Sequence, residues 1–185
     1  METSTINLPP KLELKIDISD EQFWQLCRDN DDLRFEKTAT GELIIMPPTG
    51  SNTGKRNADL TYQLQSWNRQ KKLGEVFDSN SGFLLPNNAD RSPDASWVSQ
   101  QRWDALTPEE QDKFAPLSPD FVVELMSPSD SLQKTREKLV EYIENGTQLG
   151  WLINRKKRQV EIYRPDREVE ILENPQTVSG ENILP

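Results

Sequence analysis

The stretch SPDFVVELMSPSDS, residues 118–131, contains the most apolar short run of the chain, from Asp120 to Met126. A continuous apolar run of this length predicts a central strand that is buried on both faces. Glu124 lies inside the run, and a carboxylate in a buried strand is costly unless a cation or hydrogen bonds compensate it. The stretch therefore predicts the middle of a sheet and a partner for Glu124 in the folded chain.

Helices and strands are predicted on both sides of this strand. Apolar spacing and capping signals favour helices at 20–29, after Thr107, at 131–144, and in the region of Leu60, Leu64 and Trp67 that follows the loop-like segment 47–54. Strands are expected at 33–38, 42–46, 94–98, 149–153, 159–163 and 169–172, and a hairpin is expected over 75–85. This order predicts one α/β (α+β) domain with a mixed sheet flanked by helices over residues 19–185, after a loosely structured N-terminal segment 1–18.

Histidine is absent from the 185 residues, and cysteine occurs once. Imidazole is the commonest metal ligand and the usual general base near neutral pH. Its absence excludes Ser-His-Asp hydrolases, HExxH metalloproteases and histidine-based nucleases. One cysteine also excludes disulfides within the chain and zinc sites made of cysteine alone. A catalyst built from this chain must use carboxylates, lysines, hydroxyls or a hard metal ion held by oxygen.

The net charge of −9 argues against tight, generic binding to DNA or to a membrane surface, although it is compatible with a local basic groove. The densest basic clusters are 155–158 and 69–72. Either could contact phosphates, and a solvated hairpin tip and a helix C-terminus are the simpler interpretations. No apolar run or leader pattern indicates a membrane partner. With the lone Cys27, these features predict a protein of the reducing cytoplasm.

Two strands begin with Pro-Asp, at Pro93-Asp94 and at Pro119-Asp120. Asp94 and Glu124 on neighbouring strands could together bind one Mg2+, which prefers carboxylate and water oxygens and needs no histidine. Such an ion polarises a phosphoryl oxygen and lowers the pKa of an attacking water. The helix after Glu124 offers Lys134 and Lys138 to stabilise the developing negative charge.

An ordered series of motifs runs from about Leu33 to the C-terminus: GEL followed by PPTG, then RSPDASWVS, SPDFVVELMSPSDS, a K-x3-Y pair before Asn-Gly, and LGWLINRKKRQVEIYRP. In this order and spacing the chain resembles the Uma-two type family, which is abundant in cyanobacteria and is described as putative restriction endonucleases. That family is similar to the PD-(D/E)XK phosphodiesterases. The resemblance implies a restriction-endonuclease-like core, a mixed sheet flanked by helices.

The resemblance also implies roles for individual residues. Asp94 matches the aspartate of the PD motif, Glu124 matches the second acidic ligand, and the backbone carbonyl of Leu125 would face the metal, Mg2+ or Mn2+. The superfamily's usual lysine, two residues after the second acid, would fall at Met126, which carries no charge. By likeness to the family, Lys138 on the following helix takes that place in the K-x3-Y pair.

Each of these residues also has a simpler interpretation. Asp94 could be an ordinary strand-start residue after proline, and Glu124 could form a structural ion pair. A lysine such as Lys138 on an amphipathic helix usually extends its ammonium into water. Glu42 is a candidate third acid at the metal, or a solvent-facing residue of its strand.

The main functional hypothesis is therefore a Mg2+-dependent DNA endonuclease with Asp94, Glu124 and Lys138 as catalytic residues and Glu42 as a further metal ligand. The alternative is a nuclease-fold module without turnover that acts in binding or as a homodimer, as Met126 and the net charge of −9 would suit. A hydrolase of small phosphate compounds is a third hypothesis, because an acidic surface suits a small substrate better than long DNA.

Overall fold

The computed structural model describes residues 12–46 and 48–185, which form two β-sheets with helices packed around them. The first sheet is antiparallel, in the order β1 (Leu12–Lys15), β3 (Glu42–Met46), β2 (Arg34–Lys37), β6 (Asp90–Arg91) and β5 (Phe83–Leu84). The second has the order β11 (Glu170–Glu173), β10 (Gln159–Tyr163), β9 (Leu149–Asn154), β8 (Phe121–Leu125), β7 (Ala95–Ser99) and β4 (Gly74–Asp78). The helices of the described chain are α1 (Asp20–Asp29), α2 (Ser51–Lys71), α3 (Gln100–Trp103), α4 (Pro108–Asp112) and α5 (Leu132–Glu144).

The second sheet is mixed, as the sequence predicts. Strands β8 and β9 run parallel, and α5 forms the crossover that parallel neighbours require. The other described strand pairs are antiparallel. The α+β class with a mixed sheet flanked by helices is therefore confirmed.

Strand β8 is the centre of the second sheet, and all of its residues are buried. Val122 packs on one side against Leu139 of α5. Phe121 and Val123 pack on the other side in a cluster that includes Leu64 of α2. Burying one such side chain stabilises the fold by about 1.5–3 kcal/mol. The apolar run in the sequence thus forms the strand that lies between two helices, as predicted.

Capping signals in the sequence are realised at two short helices. At α1, the Ser19 hydroxyl accepts from the Gln22 amide at 3.2 Å, and the Ser19 amide donates to the Gln22 side chain at 2.8 Å. Thr107 and Glu110 form the same reciprocal pair at α4. Side-chain caps of this kind stabilise a helix by about 1 kcal/mol each. The predicted starts of both helices are therefore confirmed.

Three elements differ from the prediction. Strands β4 and β5 do not form a hairpin, because β4 pairs with β7 and β5 pairs with β6 in the other sheet. Helix α2 begins at Ser51, inside the segment 47–54 that its composition predicts to be a loop. Residues 12–15 form β1 although they belong to the segment 1–18 expected to be loose, of which residues 1–11 lie outside the described chain. The partners of β1 and β4 lie beyond an intervening helix or strand, so local composition does not identify them.

Helix α2 is the longest described helix, with 21 residues, and it is largely polar. Leu64 is buried, and Leu60 and Trp67 pack partly buried against the same cluster. Tyr62, on another side of the same helix, is 69% exposed. Within the residues that the structure describes, no helix has the length and apolar character needed to cross a membrane.

Candidate active site

Asp94 and Glu124 lie opposite each other at one end of the β7–β8 pair. Asp94 directly precedes β7, and Ala95 pairs with Val123 in the antiparallel register. One further step along that register places Asp94 opposite Glu124. Opposite residues of antiparallel strands share a face of the sheet. The sheet therefore brings the two predicted acids together, because both motifs sit at the same end of neighbouring strands.

Asp94 is held by two hydrogen bonds. Its Oδ1 accepts from the Asn57 amide nitrogen at 2.8 Å, and its Oδ2 accepts from the Leu125 backbone N–H at 2.8 Å. Burial raises the pKa of Asp94, and the Leu125 bond, Lys138 and Arg34 oppose that rise. Within residues 12–46 and 48–185, no lysine or arginine lies within ion-pair distance of Asp94. Asp94 is fixed in orientation, and its charge is only partly compensated.

Glu124 meets the ammonium group of Lys138. The Glu124 residue is 8% exposed, the Lys138 side chain is 16% exposed, and Nζ lies 2.8 Å from Oε1 of Glu124. The ammonium group of Lys138 is thus the cation that compensates the buried Glu124 carboxylate. Burial raises the pKa of Glu124 to about 7; Lys138 opposes this shift, while Asp94 and Glu36 add to it. Without a further cation, the Glu124 carboxyl is therefore poised to take up a proton near neutral pH.

Glu36 on β2 is the second partner of Lys138, and sequence reasoning missed it. Its Oε1 accepts from Lys138 Nζ at 2.7 Å and from the Ser92 amide at 3.2 Å, while Oε2 accepts from Arg91 at 3.2 Å. Burial alone would raise the pKa of Glu36, but the charges of Lys138 and Arg91 lower it to about 2. Glu36 thus stays ionised and holds the lysine beside Glu124.

Lys138 lies between two carboxylates instead of extending into water. Burial acts to lower the pKa of its ammonium group, but Glu124 and Glu36 raise it above the ordinary value. The backbone carbonyl of Ser92 accepts a third contact from Nζ at 3.3 Å. Met126, at the usual lysine position, packs partly buried against the cluster around Leu139. A core side chain therefore fills that position, and the charge at this site comes from α5.

Asn57 is a further neighbour that sequence reasoning missed. It lies on α2, is 6% exposed, and reaches from that helix to the carboxylate of Asp94. Nothing local distinguishes an asparagine in a polar helix, so only the folded chain identifies it. For Glu36 a signal was available, because an acid beside Phe35 in a predicted strand needs a partner if that strand is buried.

Glu42 is not brought into this cluster. It is exposed at the start of β3, where the register pairs it with Lys15. In the described chain no hydrogen bond or ion pair joins it to Asp94, Glu124 or Lys138. The third acid of the cluster, after Asp94 and Glu124, is Glu36, which contacts Lys138. Glu36 lies opposite Ile44 on the neighbouring strand. Glu42 as a metal ligand stays a prediction.

Comparisons with known proteins show the family of the chain. The Uma2 family, described as "Putative restriction endonuclease", matches residues 20–185. The chain belongs to the Uma2 family. No curated protein matches the chain.

A solved structure shares the fold of this Uma2 protein. It is a crystal structure described as a putative nuclease belonging to DUF820 from Anabaena variabilis ATCC 29413, with a TM-score of 0.68 and 21% sequence identity. The similarity covers 81% of this chain and 82% of that chain. At this identity the likeness concerns the fold alone, and it confirms the nuclease-like architecture.

The donor set of the Uma2 site suits a hard divalent cation. Asp94 and Glu124 offer carboxylate oxygens at opposite positions of neighbouring strands, and burial raises the pKa of both, so a further cation would be stabilised beside them. Among the described residues, no three acidic or thiol side chains form a ready-made metal cage, because Glu36 is turned to Lys138 and Arg91. Mg2+ is usually bound by one or two carboxylates, with waters and substrate oxygens as its other ligands. The residues present fit that mode of binding.

Proposed function

We propose that this Uma2 protein is a DNA endonuclease of the PD-(D/E)XK type that hydrolyses phosphodiester bonds and depends on Mg2+ or Mn2+. One observation supports it above the others: Lys138 Nζ lies 2.8 Å from Glu124 at the position opposite Asp94. Two carboxylates and one buried lysine are the groups that phosphodiester hydrolysis needs in a chain without histidine.

Asp94 and Glu124 would hold the metal, with the backbone carbonyl of Leu125 as the further ligand that the family resemblance implies. The bound ion would polarise the phosphoryl oxygen and lower the pKa of a water. The amide of Asn57 and the backbone N–H of Leu125 keep the Asp94 carboxylate in one orientation. A ligand fixed by such bonds binds with less loss of conformational freedom.

Lys138 would stabilise the negative charge that develops on the phosphoryl group, or orient the attacking water. Its ammonium group stays protonated at neutral pH because Glu36 and Glu124 raise its pKa. Glu36 acts as a positioning residue, since its contact of 2.7 Å retains Nζ when Glu124 turns to another cation. A preorganised donor of this kind contributes about 10²–10³-fold to a rate.

DNA is the proposed substrate because the protein belongs to a restriction endonuclease family. The net charge of −9 confines contacts with phosphates to a few basic segments. Cleavage of DNA by a surface that contacts several phosphates should weaken steeply as salt rises, whereas hydrolysis of a small phosphate compound should not. The salt dependence of turnover thus separates these two substrate classes.

A module without turnover, acting in binding or as a homodimer, is the second candidate. The observation that favours it is the ion pairing of Lys138 with both Glu36 and Glu124, a network that could serve structure alone.

The test is cleavage of supercoiled plasmid in Mg2+ by wild type and Glu124→Gln, with conversion to nicked and linear forms as the readout. We expect Glu124→Gln to lose at least about 10²-fold in rate, and EDTA to abolish wild-type cleavage. Glu161→Gln is the matched control, because Glu161 is another buried acid paired with a cation of α5. Equal rates for wild type and Glu124→Gln would refute the proposal, and absence of cleavage by wild type would favour the module without turnover.

A further inference from the structure

A groove of about 540 Å³ runs along the outer side of α2 and begins beside the acidic cluster. The side chains that matter for its chemistry are Asn57, Thr61, Tyr62, Ser66, Arg69 and Asp78. From Asn57 to Arg69 the helix rises by about 18 Å. This groove is a track that continues from the candidate active site over three turns of the helix.

Asn57 connects the groove to the acids. Its side chain lines the groove, and its amide nitrogen donates to Asp94 at 2.8 Å. The amide oxygen of Asn57 is buried and has no hydrogen-bond partner. A molecule that lies in the groove therefore passes Asn57, the residue whose amide nitrogen binds Asp94.

Tyr62 is the exposed aromatic of this groove. Among the large apolar side chains that the structure describes as exposed, its exposed fraction of 69% is the highest. An aromatic ring left in water loses the contribution that burial would make. Its open ring face is free to stack on a flat, apolar group.

The groove lining contains one cation and one acid, Arg69 and Asp78, and the helix that forms its wall is basic. Helix α2 contains four basic residues and the single acid Asp59, in a chain whose net charge is −9. Arg69 lies in the groove itself, whereas Asp78 on the opposite wall accepts hydrogen bonds from Asn80 and Ser81 of its own turn. The groove thus presents a guanidinium group, hydroxyls and amides, which are the groups that contact phosphate and sugar.

We propose that this groove binds an unpaired segment of nucleic acid and leads it to Asp94, with a base stacked on Tyr62 and a phosphate bound by Arg69. A base inside a duplex has both faces covered by its neighbours, so a lone tyrosine ring can stack only on an unpaired base. The proposal rests on the proposed function, since the segment leads to the bond that the site would cut.

The experiment measures fluorescence anisotropy of labelled oligothymidine and of a hairpin duplex of equal length, in EDTA so that no strand is cut. We expect wild type to bind oligothymidine at least about 10-fold more tightly than the duplex. Tyr62→Ala should weaken binding of oligothymidine about 10-fold, and Tyr62→Phe, which keeps the ring, should bind like wild type. Arg69→Gln should reduce the slope of log K against log salt by about 0.7.

Val169→Ala is the control, since Val169 is an exposed apolar residue outside the groove. Equal affinity of Tyr62→Ala and wild type for oligothymidine would overturn the proposal, and so would a preference for the duplex. Failure of this proposal is distinguishable from failure of the proposed function. If wild type cleaves plasmid but Tyr62→Ala binds oligothymidine as wild type does, only the proposal about the groove is refuted. If binding of oligothymidine depends on Tyr62 but wild type does not cleave plasmid, only the proposed catalytic function is refuted.

Discussion

Helix α5 makes two ion pairs with the second sheet, and they differ in one respect. Arg136 binds Glu161 of β10 through two nitrogens, and the Tyr163 hydroxyl donates to the same carboxylate at 2.8 Å. These partners lower the pKa of Glu161, although its burial acts in the other direction. Two residues further along α5, Lys138 is shared by Glu36 and Glu124, and burial raises the pKa of Glu124 to about 7.

The difference teaches how to distinguish a structural ion pair from a candidate active site in one protein. Glu161 has as many donors as its oxygens need, so it requires nothing further. Glu124 has one shared cation and a neighbouring acid, so its charged form is under-compensated. Such a group marks a place where an additional cation would be stabilised.

The largest expected effect is on catalysis. Lys138→Met should lower the rate of Mg2+-dependent plasmid cleavage about 10²-fold or more, because the donor to the developing charge is lost. Arg136→Met, on the same helix, should keep the rate while losing stability. Initial rates at saturating DNA measure both; a similar loss in the two variants would mean that the lysine acts only through the fold.

The effect of Mg2+ on thermal stability should differ between substitutions at the same two acids, Glu124 and Glu161. If Mg2+ at about 100 times its Kd binds the folded chain alone, it stabilises wild type by about 2.7 kcal/mol. For a chain of this size that corresponds to a rise in Tm of several degrees, at about 2–4 °C per kcal/mol. Glu161→Gln should show the same rise and Glu124→Gln should show none in differential scanning calorimetry. A full rise in Glu124→Gln would place the ion elsewhere.

Stability without metal should respond in opposite ways to the two substitutions. Glu161→Gln breaks a saturated network and should cost about 1–3 kcal/mol in the free energy of unfolding. Glu124→Gln removes a charge that burial disfavours, and Lys138 keeps Glu36 as its partner, so this substitution should be neutral or stabilising. Urea denaturation in EDTA at neutral pH tests this, and a greater loss for Glu124→Gln would reverse our interpretation of the two pairs.

The most gradual effect is the pH dependence of stability, which should have opposite signs at the two acids. The pKa of Glu124 is about 7 in the folded chain, against an ordinary 4.5. Its contribution to the free energy of unfolding is therefore full below pH 4.5 and is lost as pH rises through 7. Glu161 has a lowered pKa, so its contribution is present above 4.5 and is lost as pH falls through its folded pKa.

When one acid binds a proton in only one of the two states, folded or unfolded, the free energy of unfolding changes by at most about 1.4 kcal/mol per pH unit. Unfolding free energies of wild type and of the two Gln variants, measured in EDTA across this range, should show both slopes. Parallel curves for wild type and Glu124→Gln between pH 4.5 and 7 would contradict the raised pKa.

The sequence predicted those parts of the site that depend on local pattern. The apolar run around Glu124 and the two Pro-Asp strand starts identified β7 and β8, and antiparallel pairing then brings Asp94 and Glu124 together. The spacing within α5 indicated that Lys138 lies at the border of its apolar face. These inferences need only the period of strands and helices.

Glu36 and Asn57 were missed because their roles depend on the packing of distant elements. Glu36 belongs to the other sheet, and its strand reads as an ordinary half-polar hairpin until Lys138 and Arg91 are placed beside it. The hairpin expected over 75–85 does not form because its two strands join different sheets. Contacts between residues of two different sheets leave no pattern in the local sequence.

The crossover of α5 between parallel strands has a consequence for the order in which the protein folds. Glu124 and Lys138 belong to one β8–α5–β9 unit, whereas Lys138 and Glu36 are 102 residues apart in the chain. Closing a long loop costs more entropy than closing a short one, so local contacts form first. The acid and lysine of the candidate site should therefore meet early in folding, and Glu36 should join them only when the two sheets dock.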